Sequence, residues 1–190
     1  MKTCFGKNQW NKEDFIQAYT FRYTETPDFT QTEEGIESAV NPAHKEGFDN
    51  ISLLTKKTFG MGARAAIECS FEDWGCAEII LVEKPELCED GAFRYGACFE
   101  IVLYKGGVNI WRHYRENGKC FWHKRLGVGY PVSEHEKHRL EVEVKENYLT
   151  IFIDGQKNIL RVDDLFESFH FGVTLCEGVA RIFSMETELL

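Results

Sequence analysis

The chain has 190 residues, enough for one full core, since a domain of roughly 150 residues already buries about two-thirds of its unfolded surface. One domain spanning residues 1–190 is expected. Its 31 acidic residues outnumber 22 basic ones for a net charge of -9, which argues against nucleic-acid phosphate and anionic membrane as partners and suits a neutral or cationic one. Aromatic side chains make up 14% of the chain, so flat rings must fill a core or line a surface.

From the N-terminus, MKTCFGKNQWNKEDF lacks the apolar run of a secretion signal, and no later segment approaches the roughly 18 apolar residues of a membrane span. A soluble, cytoplasmic protein is expected. The seven cysteines are odd in number and form no C-x-x-C pair, which fits free thiols in a reducing compartment and argues against a zinc site. No metal or cofactor is expected.

IQAYTFRYTE and FTQTEEGIESAV flank a TPD turn and read as strands. NPAHKEGFDN, rich in turn formers, reads as a loop. ISLLTKKTF, ARAAIECSFE and CAEIILVEK are further strands, and PELCEDGAFRYG is the longest polar interruption. LEVEV and LTIFI alternate strictly around a turn at Glu146-Asn147, which pairs Val144 with Leu149, Val142 with Ile151 and Leu140 with Ile153 toward a core. Glu141, Glu143 and Lys145 then face water. DDLFES reads as a short helical turn, and FHFGVTLCEG and VARIFSMETE as closing strands. About eleven to thirteen short strands and almost no helix imply an all-β fold of two antiparallel sheets packed face to face.

The segment FEIVLYKGGVNIWRHYRENGKCFWHKR holds the densest chemistry. A two-residue loop at Gly106-Gly107 places Val102 opposite Trp111 and Glu100 opposite His113. The Asn117-Gly118 turn pairs Arg115 with Cys120, His113 with Trp122 and Trp111 with Lys124. One face then carries Glu100, His113, Trp122, Val102, Trp111 and Lys124, and the other carries Phe99, Ile101, Leu103, Ile110, Tyr114 and Phe121, with Arg112 and His123 as polar exceptions. Tryptophans in a sandwich are often core anchors, but three ionisable groups beside them in a sealed core are costly. Both readings stand: core anchors, or a wet aromatic and polar sheet face. For His113, a simple hydrogen bond to Glu100 competes with a catalytic role.

HRLEVEVKENYLTIFIDGQKN, FGVTLCEGVARIFSMETE, FTQTEEGIESAVN and ACFEIVLYKGGVNIWRHY follow a pattern covering most of the chain. By these segments it resembles the concanavalin A-like lectin and glucanase superfamily, including bacterial members. The resemblance implies an antiparallel jelly-roll β-sandwich with one convex and one concave sheet, and an oligosaccharide as partner on the concave face. Trp111, Trp122 and Tyr104 are then stacking platforms, with Glu100, His113, Lys124, Asn109 and Arg115 as polar contacts.

The superfamily's glucanase pattern, carboxylates alternating along one strand as Glu-x-Asp-x-Glu, is missing; the nearest run, Glu141 and Glu143, lies on an outward face. The Gln-x-His and Tyr-x-Lys pairs of its lyases, the galectin sugar motif and the legume-lectin metal cluster are missing too. Glycan binding without catalysis is therefore the first expectation. A glycoside hydrolase or lyase using Glu100 and His113 with Glu78 is the second, and a protein-interaction or self-association module the third.

Overall fold

Strict alternation of apolar and polar residues favours strands with one buried face, as at His138–Lys145, whereas the continuous run Cys76–Val82 is buried on both faces. The structure is a computed structural model describing residues 1–22, 27–38 and 49–190; most of the expected NPAHKEGFDN loop lies outside the described residues. In chain order its strands are β1 (Lys2–Cys4), β2 (Phe15–Thr20), β3 (Thr30–Gln31), β4 (Ile36–Glu37), β5 (Ser52–Thr55), β6 (Ala63–Glu72), β7 (Cys76–Val82), β8 (Glu86–Leu87) and β9 (Phe93–Tyr95). They continue with β10 (Cys98–Tyr104), β11 (Gly107–Glu116), β12 (Lys119–Gly129), β13 (His138–Lys145), β14 (Tyr148–Ile153), β15 (Gln156–Arg161), β16 (His170–Cys176) and β17 (Val179–Leu189).

One sheet runs β15-β14-β13-β6-β17-β4-β3, with β1 also paired to β17; the other runs β12-β11-β10-β7-β16-β5-β2-β9-β8. Their packed inner faces make one continuous core, from Ile67, Val142 and Ile151 on the first sheet to Ile79, Phe99, Ile101 and Val173 on the second. This is the expected all-β two-sheet jelly roll, with three departures. The β2–β9 pair is parallel. The described residues contain seventeen strands, more than expected, because residues 30–37 split into two short strands, β8 and β9 form within the polar stretch 86–95, and β1 and β15 add two more. The expected helical turn at DDLFES is an irregular turn with no helix.

The β13–β14 hairpin has the expected register, with Val144 opposite Leu149 and Leu140 opposite Ile153. Glu141 and Glu143 do face away from the core, but ion pairs to Arg139 and Lys145 cover them. In the β11–β12 hairpin, Asn117 and Gly118 both adopt positive φ, 50° and 75°, as a type I′ turn requires. His113 pairs with Trp122 and Trp111 with Lys124, followed by a bulge between Ile110 and Trp111.

The β10–β11 register is a correction. Tyr104 pairs with Gly107, so the loop is Lys105-Gly106, Glu100 sits opposite Trp111, and Cys98 sits opposite His113. Gly107 is needed elsewhere: a Cβ there would lie 2.0 Å from the Val128 carbonyl oxygen, so the residue serves the close approach of β12. The shift is by two residues, an even number, so every side chain keeps the face assigned to it. Arg112, the polar exception on the core side, is accommodated over the rings of Phe99 and Phe166, 4.8 Å and 4.5 Å from their centroids.

Candidate functional site

β7 is buried along its whole length because both of its faces are covered. Ala77, Ile79 and Leu81 enter the main core. On the outer face Ile80 and Val82 join Ala18, Leu54, Tyr95 and Cys98 in a second apolar cluster, closed by a 2.8 Å hydrogen bond between the hydroxyls of Ser52 and Tyr95. Toward the other end of the same face the apolar cover stops, and a groove of about 360 Å³ opens.

Register fixes what lies on its floor. Glu78 faces Val102 on β10 and Thr174 on β16, which makes Glu100 and Cys176 its diagonal neighbours, and a bridge brings Asp49 beside Cys176. Glu78, Asp49 and Glu100 are only 1%, 2% and 4% exposed. The carboxylate oxygens of Asp49 and Glu78 and the Cys176 sulfur lie within 4.8 Å of one another. Asp49 Oδ2 and Glu78 Oε2 are buried without a hydrogen-bond partner.

Burial, reinforced by the negative charge of Glu100, raises the Asp49 carboxyl from 3.8 to about 7 despite opposition from Arg22, the Cys176 thiol and His113. Burial, then the charges of Glu100 and Asp49, pushes Glu78 well above the ordinary glutamate range. Next to them, Glu100 Oε2 lies 2.6 Å from His113 Nε2. This is a close contact without an aligned hydrogen bond, since Nε2 has no partner of proper geometry.

Aromatic rings form the walls. Trp111, half-buried, stands opposite Glu100, and Trp122 is 46% exposed on β12. Neither belongs to the core, so the face they occupy is the wet one. Trp74, 70% exposed, lies in the β6–β7 turn at φ 67°, a conformation bulky residues rarely adopt. Two of the rings already carry cations, with the Arg22 guanidinium 4.2 Å from the centroid of Trp122 and the Lys105 ammonium 3.4 Å from that of Trp74. A ligand ring therefore meets Trp111 directly and the other two beside a basic side chain.

Of the residues expected from sequence, Glu78, Glu100, Tyr104, Asn109, Trp111 and Trp122 line the groove. His113 lies buried behind Glu100 rather than on the lining. Lys124 is exposed opposite Trp111, outside the lining. Arg115 lies apart: it shares their face, but two residues beyond His113 it has left the groove, stacks 4.0 Å over Phe21 and lines a separate hollow of about 730 Å³ with Glu83, Lys84 and His170.

Sequence reasoning missed Asp49, Cys176, Arg22 and Trp74. The first three come from distant segments, and no spacing links them to β7. Trp74 did leave a signal, an aromatic residue inside the tight turn EDWG.

No protein-family model matches the chain, and no curated protein sequence does. Solved structures do match. A Bacillus subtilis protein of unknown function with a galectin-like fold aligns at a TM-score of 0.66 with 10% identity, over 100% of this chain and 94% of that one. A Bacillus licheniformis beta-glucanase aligns at 0.61 with 13% identity over 97% and 95%. The carbohydrate-binding module CBM66 of Bacillus subtilis aligns at 0.60 with 15% identity over 86% and 92%. At these identities the likeness establishes the fold.

Proposed function

We propose that this chain, a concanavalin A-like jelly roll, binds an oligosaccharide in the groove on the outer face of its nine-stranded sheet. The observation that carries the reading is the juxtaposition of Trp111 with Glu100, Asn109 and Tyr104 along one open groove. A sugar ring has an apolar C–H face and a rim of hydroxyls, so it needs a flat aromatic surface with acceptors around it. Trp111 supplies the first, Glu100 and Asn109 the second. The acidic floor selects neutral or amino sugars over uronic or sulfated ones, because an anion there adds like charge to an already crowded set of carboxyls. The seven cysteines fit a cytoplasmic setting, where the ligand is a soluble oligosaccharide.

The test is a thermal-shift screen over neutral, amino and acidic oligosaccharides, followed by calorimetric titration of the best ligand. Trp111→Ala is expected to weaken that binding by about 2 kcal/mol, on the order of thirtyfold, with the melting temperature nearly unchanged. Unaltered affinity in the variant places the sugar elsewhere.

A second reading, cleavage of the bound glycan, is favoured by the Glu100–His113 contact of 2.6 Å, the pair placed to move a proton at the groove. It requires that Glu100→Gln stop turnover of the same oligosaccharide while binding persists.

A further inference from the structure

We infer that Asp49, Glu78 and Cys176 form a binding site for a thiophilic divalent cation, of which zinc is the type, at the floor of the groove. The inference goes beyond glycan recognition and does not depend on it. Three donors from three separate segments converge within 4.8 Å of one another: Asp49 at its bridge to Cys176, Glu78 on β7 and Cys176 at the end of β16. Two donors on one tetrahedral zinc, with bonds of about 2.0–2.3 Å, sit about 3.3–3.8 Å apart. The trio, within 4.8 Å of one another, therefore has to close by no more than about 1.5 Å between any two donors.

Acidic residues crowd together on many proteins, but each of these two holds a buried oxygen that no aligned hydrogen bond satisfies, with the Cys176 thiol as their shared neighbour. Asp49 Oδ2 and Glu78 Oε2 are buried, carry no hydrogen-bond partner, and belong to residues only 2% and 1% exposed. A native interior leaves few such atoms, and each calls for an explanation. A cation answers both oxygens at once and offsets the repulsion of two adjacent carboxyls and nearby Glu100. The site also has an entry path, because all three donors line the open groove.

The donor set decides the metal. A thiolate beside two carboxylates favours zinc and cobalt over calcium and magnesium, which take oxygen donors. Three protein ligands leave a fourth position facing the groove. The neighbouring trio Cys98, Glu100 and His113 is equally tight, but its imidazole already contacts Glu100 and neither Cys98 nor His113 reaches the groove.

The test uses the full chain, stripped with a chelator and titrated with Zn²⁺ alone in competition with a chromophoric chelator at neutral pH. One equivalent of zinc is expected to bind, with affinity at least about a hundredfold above that for Ca²⁺ or Mg²⁺. Glu78→Gln and Cys176→Ser, each checked for native circular dichroism, are each expected to weaken it by about tenfold or more. Cobalt gives the thiol its own readout: a sulfur-to-metal charge-transfer band in the parent, kept in Cys98→Ser and lost in Cys176→Ser. Absence of stoichiometric zinc binding, or binding untouched by both Glu78→Gln and Cys176→Ser, overturns the site. A cobalt spectrum without the sulfur band removes Cys176 from it. Loss of oligosaccharide binding in Trp111→Ala does not bear on any of these outcomes.

Discussion

Replacing Glu78 by glutamine raises the unfolding free energy of the metal-free protein by about 2 kcal/mol at about pH 8, the scale of relieving a buried, unsatisfied polar group. The gain disappears near pH 4. Glutamine keeps the side chain's volume, removes one of the crowded carboxyls, and adds an amide donor that Asp49 can accept. The pH dependence follows from the direction of the shifts. Burial and like charge raise both carboxyls above their unfolded values. A group shifted in this way is neutral in both states at low pH and costs nothing there. As pH rises past the unfolded value, the unfolded chain ionises freely while the folded chain resists, so stability falls. For Asp49 that window runs from 3.8 to about 7, and Glu78 loses stability in the same direction. Urea unfolding of parent and variant in the presence of EDTA, at both ends of the range, measures the difference. A variant less stable than its parent at the alkaline end contradicts this account of the groove floor.

Phe99→Ala has a larger and opposite effect, a loss of about 3–5 kcal/mol. Phe99 is fully buried on β10, one residue before Glu100, and meets Phe166 edge to face at 5.3 Å. Truncation leaves a cavity between the sheets and strips an aromatic face from Arg112, whose guanidinium is already partly desolvated there. Denaturant unfolding reports the loss as a lower midpoint. Set beside Trp111→Ala, the pair separates the two faces of one hairpin. The core-side ring governs stability, and the groove-side ring governs ligand affinity. A stability loss in Trp111→Ala comparable to that in Phe99→Ala puts the tryptophan in a structural role.

The sheet faces were legible because a β-strand alternates with a period of two, and parity survives even an error in register. The loop assigned to Gly106-Gly107 is really Lys105-Gly106, yet Glu100, Trp111 and His113 remain on the predicted side. Local turn chemistry sufficed at Asn117-Gly118 and Glu146-Asn147, where the flanking registers match expectation. At Gly107 it did not, because a third strand's carbonyl decides where that glycine must lie.

The sequence by itself determined the fold class, the core-facing residues of the β13–β14 hairpin, and half of a groove: Glu78 on β7, and Glu100, Trp111, Trp122, Tyr104 and Asn109 within two adjoining hairpins. Phe121, assigned to the core side, is 39% exposed because β12 is the edge of its sheet. Only the tertiary structure decided the rest. It carried Asp49, Cys176 and Arg22 to Glu78 from far along the chain, turned Arg115 into a different hollow, and left two carboxylate oxygens without partners. The physical reason is range. Hairpin registers are set by residues a few positions apart, whereas the meeting of β7 with β16 and the bridge at Asp49 depends on how whole sheets curl and pack. Cysteine spacing along the chain argued against a metal; the juxtaposition of Cys176 with two carboxylates exists only in three dimensions.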